Sequence, residues 1–147
     1  MAAKQGFLAD RSPYKLSVTN IVCWLLQIGL AIFMVVQSAI PLYQGGAYNI
    51  ETFDRIGFGQ WFRHFTATVE TVGAVGLLIP ALSGLAALGL VGVMIGAITT
   101  ELTVRTAAGA VLPAELLVLF AIVAWYRWPQ TKALVGWVVR RVESRRR

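Results

Sequence analysis

Four stretches of this chain stay apolar long enough to cross a lipid bilayer, and that limits its fold more than any other feature. They run from about Ile21 to Leu42, Phe58 to Ile79, Leu82 to Leu102 and Val111 to Trp128. A transmembrane helix needs about 20 such residues, because the hydrocarbon core is ~30 Å thick and a helix rises ~1.5 Å per residue. Strands of a membrane barrel would alternate over about 10 residues. These stretches are continuously apolar, so helices are predicted. The second and third are joined only by Pro80, Ala81, Leu82 and Ser83, a tight helical hairpin in which Pro80 stops the second helix.

Charge is correspondingly scarce. Charged residues are 14% of the 147 and hydrophobic residues 57%, whereas an average soluble domain is about a quarter charged. A water-facing globule, a disordered tail and a collagen-like rod are excluded. The net charge of +6 is explained by topology rather than by nucleic acid. Lys4, Arg11 and Lys15 precede the first helix, and Arg127, Lys132, Arg140, Arg141, Arg145, Arg146 and Arg147 follow the fourth. The two long loops are nearly neutral: Glu51 and Asp54 offset Arg55 and Arg63, and Glu101 offsets Arg105. Lys and Arg concentrate on the cytoplasmic side, which puts both termini there and demands an even number of spans.

The expected architecture is therefore all-α: an integral membrane four-helix bundle with a C-terminal amphipathic interfacial helix. Residues 1–20 form a cytoplasmic N-terminal segment, 21–128 the bundle and 129–147 a basic cytoplasmic tail. In that tail Leu134, Val135, Val138, Val139 and Val142 recur at helical spacing beside Trp137, as in a helix lying in the membrane plane against anionic lipid. The first 20 residues lack the apolar core of a signal peptide. The bilayer, a protein partner and a second copy of the chain are the partners implied, with no nucleic acid. The compartment is a bacterial-type cytoplasmic membrane.

Cys23 is the single cysteine, so an intrachain disulfide or a multi-cysteine metal site is excluded, and no metal is expected. It reads as a small residue, buried or lipid-facing. The loop from about Tyr43 to Gly57, with Gly45, Gly46, Tyr48 and Phe53, is either a cap over the bundle or a plain connector. Gly73 and Gly76 on the second helix, and Gly89, Gly92 and Gly96 on the third, let helix backbones approach closely, within one bundle or between two chains.

The ionisable residues inside these helices are the functional candidates, because such groups are costly in a membrane. The second helix holds Arg63, His64 and Glu70. Glu70 falls near mid-membrane with no cation adjacent in sequence. Thr66, one turn earlier, is placed to hydrogen-bond it, and Gly73 shares its face. Such an isolated carboxyl suits a proton acceptor or a hydrogen-bond donor to a quinone carbonyl, and His64 is a candidate proton carrier. Toward the outer side lie Glu101, Arg105 and Glu115, the last in the first turn of the fourth helix, where the helix dipole favours a carboxylate. Together these groups suggest an outward-facing polar pocket with Glu70 at its floor, Glu70 and His64 as catalytic groups, and Arg63, Glu101, Glu115 and Gln37 binding substrate, with Gln27 also available to line it. The structural alternative is internal ion pairing, Arg63 with Glu115 and Glu101 with Arg105.

Glu70, Gly73, Gly76, Leu77, Leu78 and Pro80 together resemble the second-helix signature of the DoxX-like membrane proteins. Gly96-Ala97 through Thr100-Glu101-Leu102 is similar to that family's third-helix end, where a histidine is frequent in place of Glu101. Pro113-Ala114-Glu115 and Ala124-Trp125-Tyr126-Arg127 fit its fourth helix, and the Phe53–Trp61 segment its loop. The resemblance spans about residues 21 to 128. It implies a four-helix bundle and a redox-linked accessory role: at most a membrane subunit of a quinone-linked oxidoreductase, with a quinone as the expected ligand and no covalent cofactor. With one thiol the chain cannot itself run a dithiol–disulfide cycle. The other reading is a non-catalytic partner or assembly factor of a larger complex. A small transporter or channel ranks below both, because the cytoplasmic halves of the helices offer no polar path.

Overall fold

The computed structural model describes residues 17–145, which are helical almost throughout, with no strand among them. The N-terminal cations before Ser17, together with Arg146, Arg147 and the side chain of Arg145, lie outside the described residues. Helix α1 runs Val18–Gln44, α2 Ala47–Ile56, α3 Gln60–Leu77, α4 Ser83–Val104 and α5 Val111–Arg145, the last preceded by a short 3₁₀ turn at Ala107–Ala110.

α1, α4 and the segment containing α5 are each long and apolar enough to cross a membrane. The protein is a multi-pass membrane protein. α3 is the exception in composition. Its 18 residues rise about 27 Å, but they include Arg63, His64 and Glu70. The bundle shields two of these: Arg63 and Glu70 are buried. Its exposed apolar side chains are Trp61, Phe65, Val72 and Val75.

The four long helices share one core. Leu30, Ala31 and Met34 of α1 meet Ala74 and Leu77 of α3, Leu90 and Met94 of α4, and Phe120 and Val123 of α5. The predicted hairpin is present: α3 ends at Leu77 and α4 starts at Ser83, whose hydroxyl donates to the Pro80 carbonyl at 3.1 Å. Glycines set how closely α4 can approach its neighbours. A Cβ on Gly73 would come 2.7 Å from Leu90 Cδ2, and one on Gly76 would come 2.8 Å from Ala86 Cβ. A Cβ on Gly84 would collide with the Thr131 hydroxyl of α5. Gly89, Gly92 and Gly96 differ from the expectation of close approach, having nothing within 4 Å of their Cβ positions.

Three further features depart from the sequence reading. The loop before α3 contains a helix, α2, held between Gly45 and Gly57, both in the left-handed conformation (φ 69° and 85°) that lets glycine end a helix. Its Phe53 packs with Leu42 and Ala67 in a second, smaller core, so the segment is a built cap. Within α1, Met34–Ala39 is a π-helical turn. Pro41 follows, and a proline has no N–H for the carbonyl four residues back. Finally, α5 does not stop before Pro129. It continues through it to Arg145, so the tail is helical as expected but is one body with the fourth helix. A membrane helix tolerates an internal proline, which leaves one carbonyl four residues back, here that of Trp125, without its helical donor.

Candidate functional site

α2, α3 and α4, with Ser38 and Leu42 of α1, line a half-open cavity of about 840 Å³ at the α2 end of the bundle. One wall is aromatic: Phe53, Phe58, Phe62 and Phe65 line it, and the other three rings gather around Phe62. Phe58 meets Phe62 edge-on at 5.3 Å, and Phe62 lies parallel to Phe65 at 6.1 Å. The facing wall on α4 is paved by Gly89, Gly92 and Gly96. This explains their lack of neighbours: they open space rather than close it.

Glu70 borders the cavity from α3, in contact with Ser38 of the π turn. It is 4% exposed, and its Oε2 is buried with no hydrogen-bond partner among the described residues. An unmet buried carboxyl oxygen is expensive, and its presence beside a cavity marks a place where a ligand hydrogen bond would be gained. Thr66 lines the same cavity but does not serve Glu70; its hydroxyl donates to the Phe62 carbonyl at 2.9 Å.

Glu101 lies at the rim. Tyr48 of the cap donates to Glu101 Oε1 at 3.0 Å, and the Arg105 guanidinium sits over the Tyr48 ring, 3.6 Å from its centre. Burial, reinforced by the hydrogen bond and negative charge of Glu101 and opposed by Arg105, pushes the Tyr48 hydroxyl above the usual tyrosine range. Arg55 of α2 also reaches the Val104 carbonyl, at 3.4 Å. These contacts latch the cap to the end of α4.

Other candidate residues fall elsewhere. Arg63 is a clasp, not a cavity group: it donates to the carbonyls of Leu42 and Tyr43 and to Gln60 Oε1. A cation at a helix C-terminus meets the negative end of the dipole, so Arg63 fastens the end of α1 to α3. His64 is exposed, with Nε2 3.2 Å from Arg63 Nη2. Glu115 is exposed and lies beyond the first turn of α5, which begins at Val111. Gln37 borders a second cavity, described below. Neither expected interhelical ion pair forms; among the described residues the pair is Arg55 with Glu51, at 2.6 Å on the surface of α2.

Gln27 belongs to a different site, which the sequence did not suggest. At the tail end of the bundle Arg127 is 2% exposed. Its Nε and Nη2 donate to Gln27 Oε1 at 3.0 and 2.7 Å, and Nη1 donates to Asn20 Oδ1 at 3.1 Å. Gln27 in turn donates to the Leu77 carbonyl at 2.7 Å. Buried Cys23 adds its thiol to the same Gln27 oxygen at 3.6 Å. The network ties α1, α3 and α5 together and has no carboxylate among the described residues. Its sequence signal was available only in part: Gln27 sits alone in an apolar helix, but Arg127 looks like the first cation of the tail.

A family model of the DoxX-like family matches residues 25–123. The chain belongs to the DoxX-like family. No curated protein and no solved structure matches it. The region matched to the DoxX-like family runs from within α1 to within α5. It contains Glu70, Glu101 and the whole of the cavity lining, while Arg127 and the tail lie beyond it.

Proposed function

We propose that this DoxX-like protein binds a quinone, or a small molecule of similar shape and polarity, between α2, α3 and α4, as a redox-linked accessory subunit of a membrane complex. The observation that carries the reading is the unpartnered Glu70 oxygen at the cavity wall. A planar ring fits between an aromatic wall and a glycine-paved wall, gaining stacking on one side and unobstructed approach on the other. The Glu70 carboxyl then exchanges a hydrogen bond with a ring oxygen, and gives that oxygen a proton when an electron-donating subunit of the complex reduces the ring. Glu101 and Tyr48 hold the rim. In this reading the cavity end faces outward and both termini are cytoplasmic, in a bacterial-type membrane. Lys132, Arg140 and Arg141 of the tail then sit where anionic headgroups attract cations, each by about 1 kcal/mol.

The test is purification in mild detergent followed by native mass spectrometry. Retention of a quinone-sized organic molecule, lost in Glu70→Ala, is expected. A ligand retained equally by both proteins would remove Glu70 from the reading.

One observation favours a second reading. Gly92 and Gly96 form a small-residue pair on an exposed face of α4 with nothing against them, a surface on which a helix of another chain can pack closely. A non-catalytic partner or assembly role follows if the same spectra show a second protein or a second copy in place of a small molecule.

A further inference from the structure

Behind Glu70 lies a second cavity of about 450 Å³. It occupies the seam where Phe33, Met34 and Gln37 of α1 face Leu112, Pro113 and Leu116 of α5. α1 and α5 touch little along their length, so this seam is the loosest in the bundle. Seven of its ten lining residues are apolar, and the polar ones are Gln37, Ser38 and Glu70. Two buried methionines, Met34 and Met94, give it flexible, adaptable walls. Leu112 of the lining is an exposed apolar side chain, as on a surface that faces lipid. Ser38, Glu70 and Ala97 border both cavities. The Glu70 carboxyl, one oxygen of which has no partner among the described residues, therefore stands between a roomy chamber on one side and a largely apolar seam on the other.

We propose that the seam is the seat of an apolar tail: the ligand is a bilayer-borne amphiphile whose chain lies between α1 and α5 while its hydrogen-bonding head reaches Glu70. This rests on the binding-site reading above and adds the ligand's class and its route of entry. A purely water-soluble ligand has no use for an apolar seam opening among lipid-facing residues. A plain acyl chain has no use for a buried carboxyl. A molecule with both parts uses both. The tail gains little free energy on leaving one apolar medium for another, so the seam governs fit and access, and obstructing it excludes tailed ligands by bulk alone.

The full chain in lipid nanodiscs is titrated with decylubiquinone and with its tail-less parent, 2,3-dimethoxy-5-methyl-1,4-benzoquinone. Leu112→Trp places an indole at the seam mouth, at a position already 52% exposed. Val118→Trp, on the same helix and 55% exposed, borders neither cavity and controls for the added ring. Leu112→Trp should weaken decylubiquinone by about tenfold or more while the parent stays within about twofold, and Val118→Trp should change neither. Equal loss of both compounds in Leu112→Trp, or loss of neither, overturns the tail seat while leaving Glu70 as a head site. If the wild-type chain binds neither compound, the binding-site reading itself fails, and the tail seat with it.

Discussion

Replacing Arg127 with leucine strips Gln27 of its two charged donors. The amide oxygen is left at full burial with only the Cys23 thiol, 3.6 Å away and a weak donor. An orphaned buried acceptor costs about 1–3 kcal/mol, while deleting the desolvated guanidinium recovers part of its burial penalty. The net for Arg127→Leu is thus smaller, about 0.5–2 kcal/mol. Gln27→Leu is the harsher change. It keeps the cation and removes the acceptor of two of its hydrogen bonds, which is the situation that costs about 3–5 kcal/mol at buried charges. The double variant should cost less than the sum of the two, with a coupling of about 1–3 kcal/mol. Arg140→Leu, an exposed tail position, should be neutral within about 0.5 kcal/mol. The assay is equilibrium unfolding in mixed detergent micelles, followed by helical circular dichroism. The reasoning is refuted if Arg127→Leu unfolds with wild-type stability, or if it proves worse than Gln27→Leu, because either result removes the desolvated cation from the centre of the network.

Two other outcomes follow from geometry. Gly73→Ala drives a methyl into Leu90, overpacking by about 1–3 kcal/mol against a helix-propensity gain of about 1. Gly92→Ala meets open space and keeps that gain, so the same micelle titration should rank Gly92→Ala above wild type and Gly73→Ala at or below it. The Tyr48 hydroxyl ionises above the ordinary tyrosine range because of burial and Glu101. Its folded value is raised, so the latch contributes fully below the unfolded value of about 10 and is lost as pH rises through the folded one. In a difference titration at 295 nm against Tyr48→Phe, Glu101→Gln should move the Tyr48 midpoint down; an unmoved midpoint would mean the two side chains are not bonded.

The sequence carried the fold because its strongest signals are local ones. Unbroken apolar runs and the Pro80 stop mark most of the helix bounds, and Glu70 stood out because no cation is adjacent to it in sequence. What it could not carry was which faces meet. Gly73 and Gly92 look alike in one dimension, yet one admits Leu90 and the other floors a cavity. Arg63 and His64 looked like pocket groups because they are polar and near Glu70, but Arg63, two turns earlier on the same face, is taken up by carbonyls that end a different helix, and His64 is exposed. α2 was hidden because a short amphipathic helix between glycines reads as a loop when charges and aromatics alternate with little apolar run. Arg127 was read as part of the tail because Pro129 looks like an ending, and only the continuation of α5 brings it against Gln27.

The central claim is that Glu70 is the hydrogen-bonding group of a ligand cavity. Its most direct test is the equilibrium affinity of the purified chain for 2,3-dimethoxy-5-methyl-1,4-benzoquinone, compared among wild type, Glu70→Gln and Glu70→Ala, with unfolding curves confirming that all three fold. Loss of one hydrogen bond worth ~1.4 kcal/mol predicts about tenfold weaker binding in Glu70→Ala, with Glu70→Gln, which keeps a donor of similar reach, between the two. Equal affinity in all three folded proteins would contradict the account.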